Sequence, residues 1–209
     1  MNVYVETNFV LELALIQEQQ ASCEAILRLS EAGRIRLAIP AYSLVEPYEV
    51  LVRRHRQRRQ MKIDLDAEVG QMIRTATYSE RLSGFQDLTA LLIDSADEEA
   101  KRLEEVRRRL LTSCASIPLN AECLDAAARY QGVHDLSPQD ALVYSSVISH
   151  LAQADSSVNC FLNRNSKDFD DPDIVDELRS HACKLIPRFD DGLEYVRNHI
   201  GSEGTSSKN

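Results

Sequence analysis

Three acidic side chains occupy positions from which they could act together on a metal ion or a phosphate. Glu6 follows the apolar run N-V-Y-V, Glu46 comes shortly after a second apolar run, and Asp140 stands where a helical pattern begins. A strand that only had to stop would end in ordinary turn residues, whereas Glu6 is followed by Thr7 and Asn8. Carboxylates that lie close together repel one another and need a cation or a proton. The pattern predicts a site where acids from distant segments meet.

Helix capping offers a second interpretation of two of these acids. In S-L-V-E, Ser43 would cap a helix and Glu46 would bond back to it, and S-P-Q-D repeats the pattern with Ser137 and Asp140. A purely capping acid has no need to face the core, yet Asp140 heads an inward-facing stripe at helical spacing. The stripe continues through Tyr144, Val147 and Leu151. Both interpretations remain open for Glu46 and Asp140.

Short apolar runs alternate with helical patterns along the chain, which predicts βαβ units and a parallel sheet. The strands are predicted at residues 2–6, 34–39, 158–163 and 184–187. Parallel sheets of this kind carry their working residues at the carboxyl ends of the strands. Glu6 stands at one such end, so the predicted architecture would position it for chemistry.

Residues 53–113 have a highly charged helical pattern, unlike the alternating strands and helices around them. They predict a helical insertion within a single domain of residues 1–200. A basic run, R-R-H-R-Q-R-R, begins at residue 53, and an acidic and basic helix follows from about residue 95. Its charged residues predict i,i+4 pairs. The expected pairs are Glu98 with Arg102, Glu104 with Arg108, and Glu105 with Arg109. The stripe Leu103, Val106 and Leu110 gives this helix one apolar face, and residues 201–209 are expected to form a disordered tail.

Composition limits the function classes. The chain has 209 residues and a net charge of −9, so its overall charge does not indicate nucleic acid and a local basic patch would have to bind any such partner. Five cysteines form no C-x-x-C pair. Together with the lack of a leader-like or membrane-spanning run, they predict a reduced cytoplasmic protein that does not bind membranes.

The order of these residues resembles the PIN domain family of metal-dependent nucleases. The similar segments are V-E-T-N at Glu6, the lone Glu46, D-A-L at Asp140, and a strand followed by a polar loop with K-D-F. Glu6 stands where the family has its first Asp, and Thr7 and Asn8 follow as in the family. Glu46 and Asp140 match the second and third acids. Asn165 matches the fourth position, while Asp168 and Phe169 supply the D-F. The similarity covers about residues 1–52 and 114–188.

The resemblance implies a three-layer α/β/α domain with a central parallel sheet. It implies one or two Mg²⁺ or Mn²⁺ ions in an acidic pocket and cleavage of single-stranded RNA by a metal-activated water. On this basis Glu6, Glu46, Asp140 and Asn165 would be catalytic. The implied metal ligands are Glu6, Glu46, Asp140 and Asp168, with Thr7 and Asn8 shaping the loop. Such a nuclease would be free-standing or the toxin of a toxin-antitoxin pair, with an antitoxin, another protein or a second copy as partner.

Two departures from the family pattern keep an alternative open. Glu6 is one methylene longer than Asp, and Mg²⁺ tolerates little deviation from octahedral geometry, so this carboxylate must be re-aimed or act through a water. Asn165 carries no charge and cannot act as a base. Asp168 would replace it if its loop bends back, but K-D-F-D-D is equally interpreted as a solvated acidic turn. The alternative is a PIN-like module that binds RNA or a protein without cleaving it.

The basic run is the predicted RNA-binding strip. It comprises Arg53, Arg54, Arg56, Arg58 and Arg59. It extends the helix that contains Glu46, so it would place positive charge on a line that leads away from the acidic pocket. Phosphate contacts along this strip would guide an RNA strand past the metal. A solvated helix end, or an arm that pairs with the acidic insertion helix, explains the same residues. Other phosphate chemistries lack support, because no D-x-D-x-T, glycine-rich phosphate loop or G-x-S-x-G occurs.

Overall fold

The structure is a computed structural model that describes residues 1–79, 82, 85–165, 169 and 171–203. Within them a sheet of five parallel strands has the order β3-β2-β1-β4-β5. The strands are β1 (Asn2–Val5), β2 (Arg36–Pro40), β3 (Ala115–Ile117), β4 (Asn159–Leu162) and β5 (Cys183–Ile186). Strand β1 is therefore central, and Glu6 follows its carboxyl end.

Helices connect and cover the strands. The first five are α1 (Thr7–Leu15), α2 (Gln20–Glu31), α3 (Ala41–Met72), α4 (Ala76–Ser79) and α5 (Phe85–Ser113). The others are α6 (Ala121–His134), α7 (Pro138–Leu151), α8 (Pro172–Ser180) and α9 (Phe189–Glu203). Helices α1, α2, α3, α5 and α9 pack on one face of the sheet, and α6, α7 and α8 on the other.

The three inner strands, β1, β2 and β4, bury both of their faces, which is why they contain almost uninterrupted apolar residues. Successive side chains point to opposite faces of a strand. In β1, Val3 and Val5 join the core beneath α1, whereas Tyr4 joins the core beneath α7. In β4, Leu162 and Phe161 divide between the same two cores. Two cores on either side of one parallel sheet confirm the predicted three-layer α/β/α architecture.

Strand β3 is absent from the sequence prediction. It contains only Ala115, Ser116 and Ile117, which is too short to show an alternating pattern. It forms because it pairs with the outer side of β2, where Ala115 aligns with Ala38. The strand predicted at residues 184–187 begins one residue earlier, at Cys183, and ends at Ile186.

The insertion consists mainly of two long helices whose inner ends belong to the main core. Helix α3 continues from the acidic site through the basic run, and α5 packs along it. The predicted apolar stripe is confirmed: Leu103, Val106 and Leu110 are buried in the core that also contains residues of α1. The insertion therefore closes one side of the domain.

The charged residues of α5 form only part of the predicted pairing. Glu98 and Arg102 approach to 3.4 Å at i,i+4 spacing, as predicted. The other two i,i+4 predictions are wrong. Glu104 pairs with Arg107 and Glu105 with Arg108 at i,i+3 spacing, and Arg109 reaches Glu24 and Glu31 on α2. Arg109 prefers α2 because two carboxylates there engage its planar guanidinium.

The last helix extends further than the sequence predicted, and the cysteines, all of them among the described residues, form no disulfide. Residues 201–203, placed in the tail by the sequence analysis, continue α9, and residues 204–209 lie outside the described residues. All five cysteines are free thiols, and four of them are buried. In the part of the chain that the structure describes, no helix is both long enough and apolar enough to cross a membrane.

Candidate functional site

Glu6 lies at the junction between β1 and α1 and caps that helix. Its backbone is extended, and its carboxylate Oε2 accepts a hydrogen bond of 2.7 Å from the backbone N–H of Asn8. The second oxygen, Oε1, accepts a longer bond of 3.4 Å from the backbone N–H of Arg164, after β4. Only 5% of Glu6 is exposed. The carboxylate is thus held between two backbone donors at the carboxyl ends of adjacent strands.

Burial raises the pKa of Glu6 from 4.5 to about 7, and the nearby charge of Glu46 adds to this effect. The hydrogen bonds from Asn8 and Arg164 act in the opposite direction, because they favour the ionised carboxylate. They do not offset the loss of hydration. Near neutral pH, Glu6 therefore exchanges between its protonated and ionised forms.

Glu46 lies in the second turn of α3 and is half-buried. Helix α3 begins at Ala41, directly after β2, so Ser43 is inside the helix and does not cap it. The capping interpretation of S-L-V-E is therefore wrong. Among the described residues, the buried hydroxyl of Ser43 has no hydrogen-bond partner. Instead, Glu46 Oε2 accepts a short hydrogen bond of 2.5 Å from the hydroxyl of Thr7, which links α3 to the start of α1.

The pKa of Glu46 is raised above its ordinary value, first by burial and then by the charges of Asp140 and Glu49. The hydroxyl of Thr7 and the guanidinium of Arg53 oppose this shift. Glu46 therefore interacts electrostatically with both Glu6 and Asp140. The three acids share one end of the sheet.

Asp140 combines the two roles that the sequence left open. Its backbone N–H donates to Ser137 Oγ at 3.1 Å, and the Ser137 hydroxyl donates to Asp140 Oδ2 at 2.6 Å, so the S-P-Q-D capping interaction is confirmed. Oδ1 accepts a hydrogen bond of 3.1 Å from the side-chain amide of Asn165. The stripe that follows Asp140 is buried, as predicted. Its members are Tyr144, Val147 and Leu151.

The loop after β4 brings Asn165 to this site. The backbone N–H of Asn165 donates to the side chain of Asn163 at 2.8 Å, which folds the loop tightly after the strand. Asn163 is 3% exposed and is absent from the predicted site. The predicted ligand Asp168 lies outside the described residues, whereas Phe169 is buried against Tyr144.

Sequence analysis also missed Arg164, whose guanidinium forms an ion pair with Glu12 in α1. A signal was present: Glu12 interrupts the apolar run F-V-L-E-L-A-L, and a buried carboxylate needs a cationic partner. The sequence alone does not show that the partner would come from a residue 152 positions away.

The side chains at this end of the sheet offer the right donor chemistry for a hard divalent cation. Carboxylate and amide oxygens are the ligands that Mg²⁺ and Mn²⁺ select. In the observed arrangement, however, Glu6 is turned to backbone donors and Asn165 presents its amide to Asp140. Across residues 1–79, 82, 85–165, 169 and 171–203, no three His, Cys, Asp or Glu side chains are grouped closely enough to hold a metal ion. The metal-ligand role of Glu6, Glu46 and Asp140 stays a prediction.

The basic run divides into paired and exposed arginines. Arg58 forms a two-pronged ion pair with Glu99 of α5 at 2.9 and 3.0 Å. Burial works to raise the pKa of Glu99, but Arg58 and its neighbour Arg54 hold it below its ordinary value. The contact of Arg58 therefore supports the interpretation of the basic run as an arm that pairs with the acidic insertion helix. The exposed members are Arg53, Arg56 and Arg59.

Arg53 and Arg56 line a shallow depression of about 560 Å³ on the surface of α3. Tyr48 and Glu49 line the same depression, on the side towards the acidic site. Arg53 is seven residues, or about two helical turns, beyond Glu46, so both project from the same face of α3. The exposed positive charge therefore starts beside the acids.

A family model described as PIN domain matches residues 3–169. No curated protein and no solved structure matches the chain. The matched span runs from β1 to the loop after β4, so it contains the acids and Asn165 described above.

Proposed function

Because the chain belongs to the PIN domain family, whose members are generally nucleases, we propose that it is a metal-dependent endoribonuclease that cleaves single-stranded RNA. The observation that carries the proposal is the linked set of acids at the carboxyl end of the sheet. Thr7 joins Glu46 to the strand end that bears Glu6, and Asn165 joins Asp140 to the loop after β4. Four segments distant in sequence thus bring three carboxylates and an amide to the same end of the sheet.

In this proposal Glu46 and Asp140 bind the ion directly, and Glu6 binds it indirectly. A bound Mg²⁺ or Mn²⁺ would supply an activated water and neutralise charge on the phosphate. Glu46 is suited to a cation because burial, and then the charges of Asp140 and Glu49, raise its pKa, and a positive charge in the site would stabilise its ionised form. Glu6 is more deeply buried and would act through a water, since backbone donors already engage both of its oxygens.

Asn165 would orient the carboxylate of Asp140 and would not transfer protons. Its side-chain amide donates to Asp140 Oδ1 and leaves Oδ2 to Ser137, so Asp140 is fixed from two sides. A carboxylate that is held in one orientation loses less conformational entropy when it binds an ion. Asp168, the other proposed ligand of this corner, lies outside the described residues.

Single-stranded RNA would approach along the exposed face of α3. Arg53 and Arg56 would contact its phosphates, since such contacts supply most non-specific affinity. Arg59 extends the row, whereas the charge of Arg54 acts partly on Glu99. Arg58 would contribute through the shape of the arm, because its guanidinium is engaged with Glu99.

A protein partner, either an antitoxin or a second copy, is part of the same proposal. Helices α3 and α5 expose large apolar side chains near the acidic site, which typifies contact surfaces. Val45 is 58% exposed, and Val52 and Leu111 are each 50% exposed. Five free thiols fit a reducing compartment, for which we propose the cytoplasm.

A specific observation supports a second candidate, a module that binds RNA or protein without cleaving it. Glu6 replaces the Asp of the family pattern, and its carboxylate serves as a helix cap with a pKa raised to about 7. A protonated cap is a poor metal ligand. In this alternative Glu6 is a structural residue that caps α1 and holds the loop after β4.

The two candidates are separated by cleavage of a labelled single-stranded RNA in Mn²⁺, in EDTA, and with an Asp140→Asn variant. The nuclease proposal expects cleavage only with metal and its loss in the variant. Asp125→Asn on the exposed surface of α6 is the matched control and should retain full activity. RNA binding without cleavage, in all conditions, would support the second candidate and refute the first.

A further inference from the structure

Arg164 and Glu12 form an ion pair next to the acidic site, in which the carboxylate is buried and the guanidinium is partly exposed. Glu12 is 0% exposed within α1, and its Oε1 faces the guanidinium of Arg164. The side chain of Arg164 is 38% exposed and also lies 3.5 Å from Glu18, which is largely solvated. Because exposed pairs contribute little, Glu12 is the partner that matters.

Glu12 is itself fixed by the surrounding backbone. Its second oxygen, Oε2, accepts a hydrogen bond of 2.8 Å from the backbone N–H of Gln19, in the turn after α1. The side chain of Gln19 in turn accepts from the backbone N–H groups of Phe189 and Asp190, at 2.7 and 3.2 Å. The carboxylate therefore has little freedom to follow Arg164 if the loop after β4 moves.

The loop that Arg164 occupies is also the one that completes the acidic site. The backbone N–H of Arg164 donates to Glu6, and the next residue, Asn165, donates to Asp140. A displacement of this short loop would disturb both contacts together. The ion pair with Glu12 ties the loop to the rigid first helix.

We propose that Arg164 and Glu12 are positioning residues of the acidic site. Their ion pair holds the loop after β4 in register with α1, so that the Arg164 N–H meets Glu6 and Asn165 meets Asp140. The expectation that loss of the ion pair weakens metal binding rests on the proposed nuclease function. The expectation that its loss disturbs the contact between Asn165 and Asp140 does not.

A comparable ion pair elsewhere in the fold separates positioning from stability. Arg109 of α5 binds Glu24 of α2 through two hydrogen bonds of 2.8 and 3.0 Å, and its side chain is 27% exposed. It joins two helices, as Arg164 joins a helix and a loop, and its partners Glu24 and Glu31 are not among the acids of the site. Arg109→Met and Arg164→Met therefore remove similar ion pairs at different distances from the site.

The test measures Mn²⁺ affinity by electron paramagnetic resonance, with thermal unfolding of the metal-free protein beside it. Arg164→Met should weaken Mn²⁺ binding about 10- to 100-fold at a temperature where the variant is folded, as removal of supporting residues commonly does. Arg164→Lys should restore most of the affinity. Arg109→Met should lower the unfolding temperature and leave the Mn²⁺ affinity at the wild-type value.

A second readout needs no metal. The side-chain amide resonances of Asn165, identified by their loss in Asn165→Asp, report its hydrogen bond to Asp140. They should shift in Arg164→Met and Glu12→Gln but not in Arg109→Met. If wild-type protein binds no Mn²⁺, the proposed function fails and the Asn165 resonances still decide the inference. Unchanged resonances in Arg164→Met, or equal changes in Arg109→Met, would overturn it.

Discussion

Replacement of Glu6 by glutamine should make the metal-free protein more stable at neutral pH. In the folded chain, burial raises the pKa of Glu6 from 4.5 to about 7. Between these two values the folded state retains a proton that the unfolded state releases. Stability therefore falls as the pH rises through this window, because the unfolded state binds fewer protons. The glutamine side chain of Glu6→Gln has no such proton to lose and escapes this cost.

The magnitude follows from the two pKa values. The difference between 4.5 and about 7 corresponds to about 3 kcal/mol, since each pH unit of separation contributes about 1.4 kcal/mol. Near pH 4.5 and below, wild-type protein has a neutral Glu6 and should match the variant to within about 1 kcal/mol. Above pH 7 the full difference should be present. The side-chain carbonyl of glutamine still accepts the N–H of Asn8, so the cap is largely retained.

Urea unfolding with EDTA at several pH values between about 4 and 8 provides the measurement. The free energy of unfolding of wild type is subtracted from that of Glu6→Gln, so that the contributions of the other titrating groups cancel. This difference should rise by about 3 kcal/mol between pH 4.5 and about 7 and then stay level. Glu68→Gln, on the exposed outer part of α3, should give a flat difference. A flat or falling difference for Glu6→Gln would refute the argument that burial of the carboxylate controls its ionisation.

Three further substitutions test the packing described above. Gly192→Ala should destabilise the protein by about 1–3 kcal/mol, because the new methyl group would lie 2.7 Å from the side chain of the fully buried Leu162. Ser43→Ala should raise the free energy of unfolding by about 1 kcal/mol, since it removes a buried hydroxyl that lacks a partner among the described residues. Arg58→Met should cost about 2 kcal/mol, because it leaves the mostly buried Glu99 without its two-pronged partner. Urea unfolding measures all three.

Substitutions at Gly70 and Arg56 serve as controls for Gly192→Ala and Arg58→Met. Gly70 lies in α3 with open space where a methyl group would be, so Gly70→Ala should stabilise by up to about 1 kcal/mol through helix propensity alone. Arg56 is exposed, and Arg56→Met should change stability by less than about 0.5 kcal/mol while it weakens RNA binding. Destabilisation by Gly70→Ala as large as that by Gly192→Ala would contradict the packing argument.

The local patterns of the sequence were sufficient for most of the sheet and for the burial of the stripe after Asp140. Alternating Val3, Tyr4 and Val5 predicted β1 because each face of that strand packs on its own core. The helical stripe after Asp140 predicted an inward-facing side of α7, and Ser137 predicted its cap. In each case the side chains that decide the structure lie within a few residues of one another.

Interactions between distant segments could not be predicted in the same way. Helix α3 begins at Ala41 because β2 ends there, so the apparent cap at Ser43 is overridden by the placement of the strand. The partners of Arg109 lie on α2 and not on its own helix. The pairing of Arg164 with Glu12 depends on two segments that meet only when β1 and β4 are adjacent.

The central position of β1 has a consequence for synthesis on the ribosome. Its two neighbours are β2 and β4, so β1 must wait for β4, which begins at Asn159, before the sheet around it closes. At ordinary elongation rates, on the order of ten seconds or more separate the synthesis of β1 from that of β4. The loop that carries Asn165 emerges after β4. A nascent chain therefore cannot assemble the acidic site until β4 and the loop after it have been made.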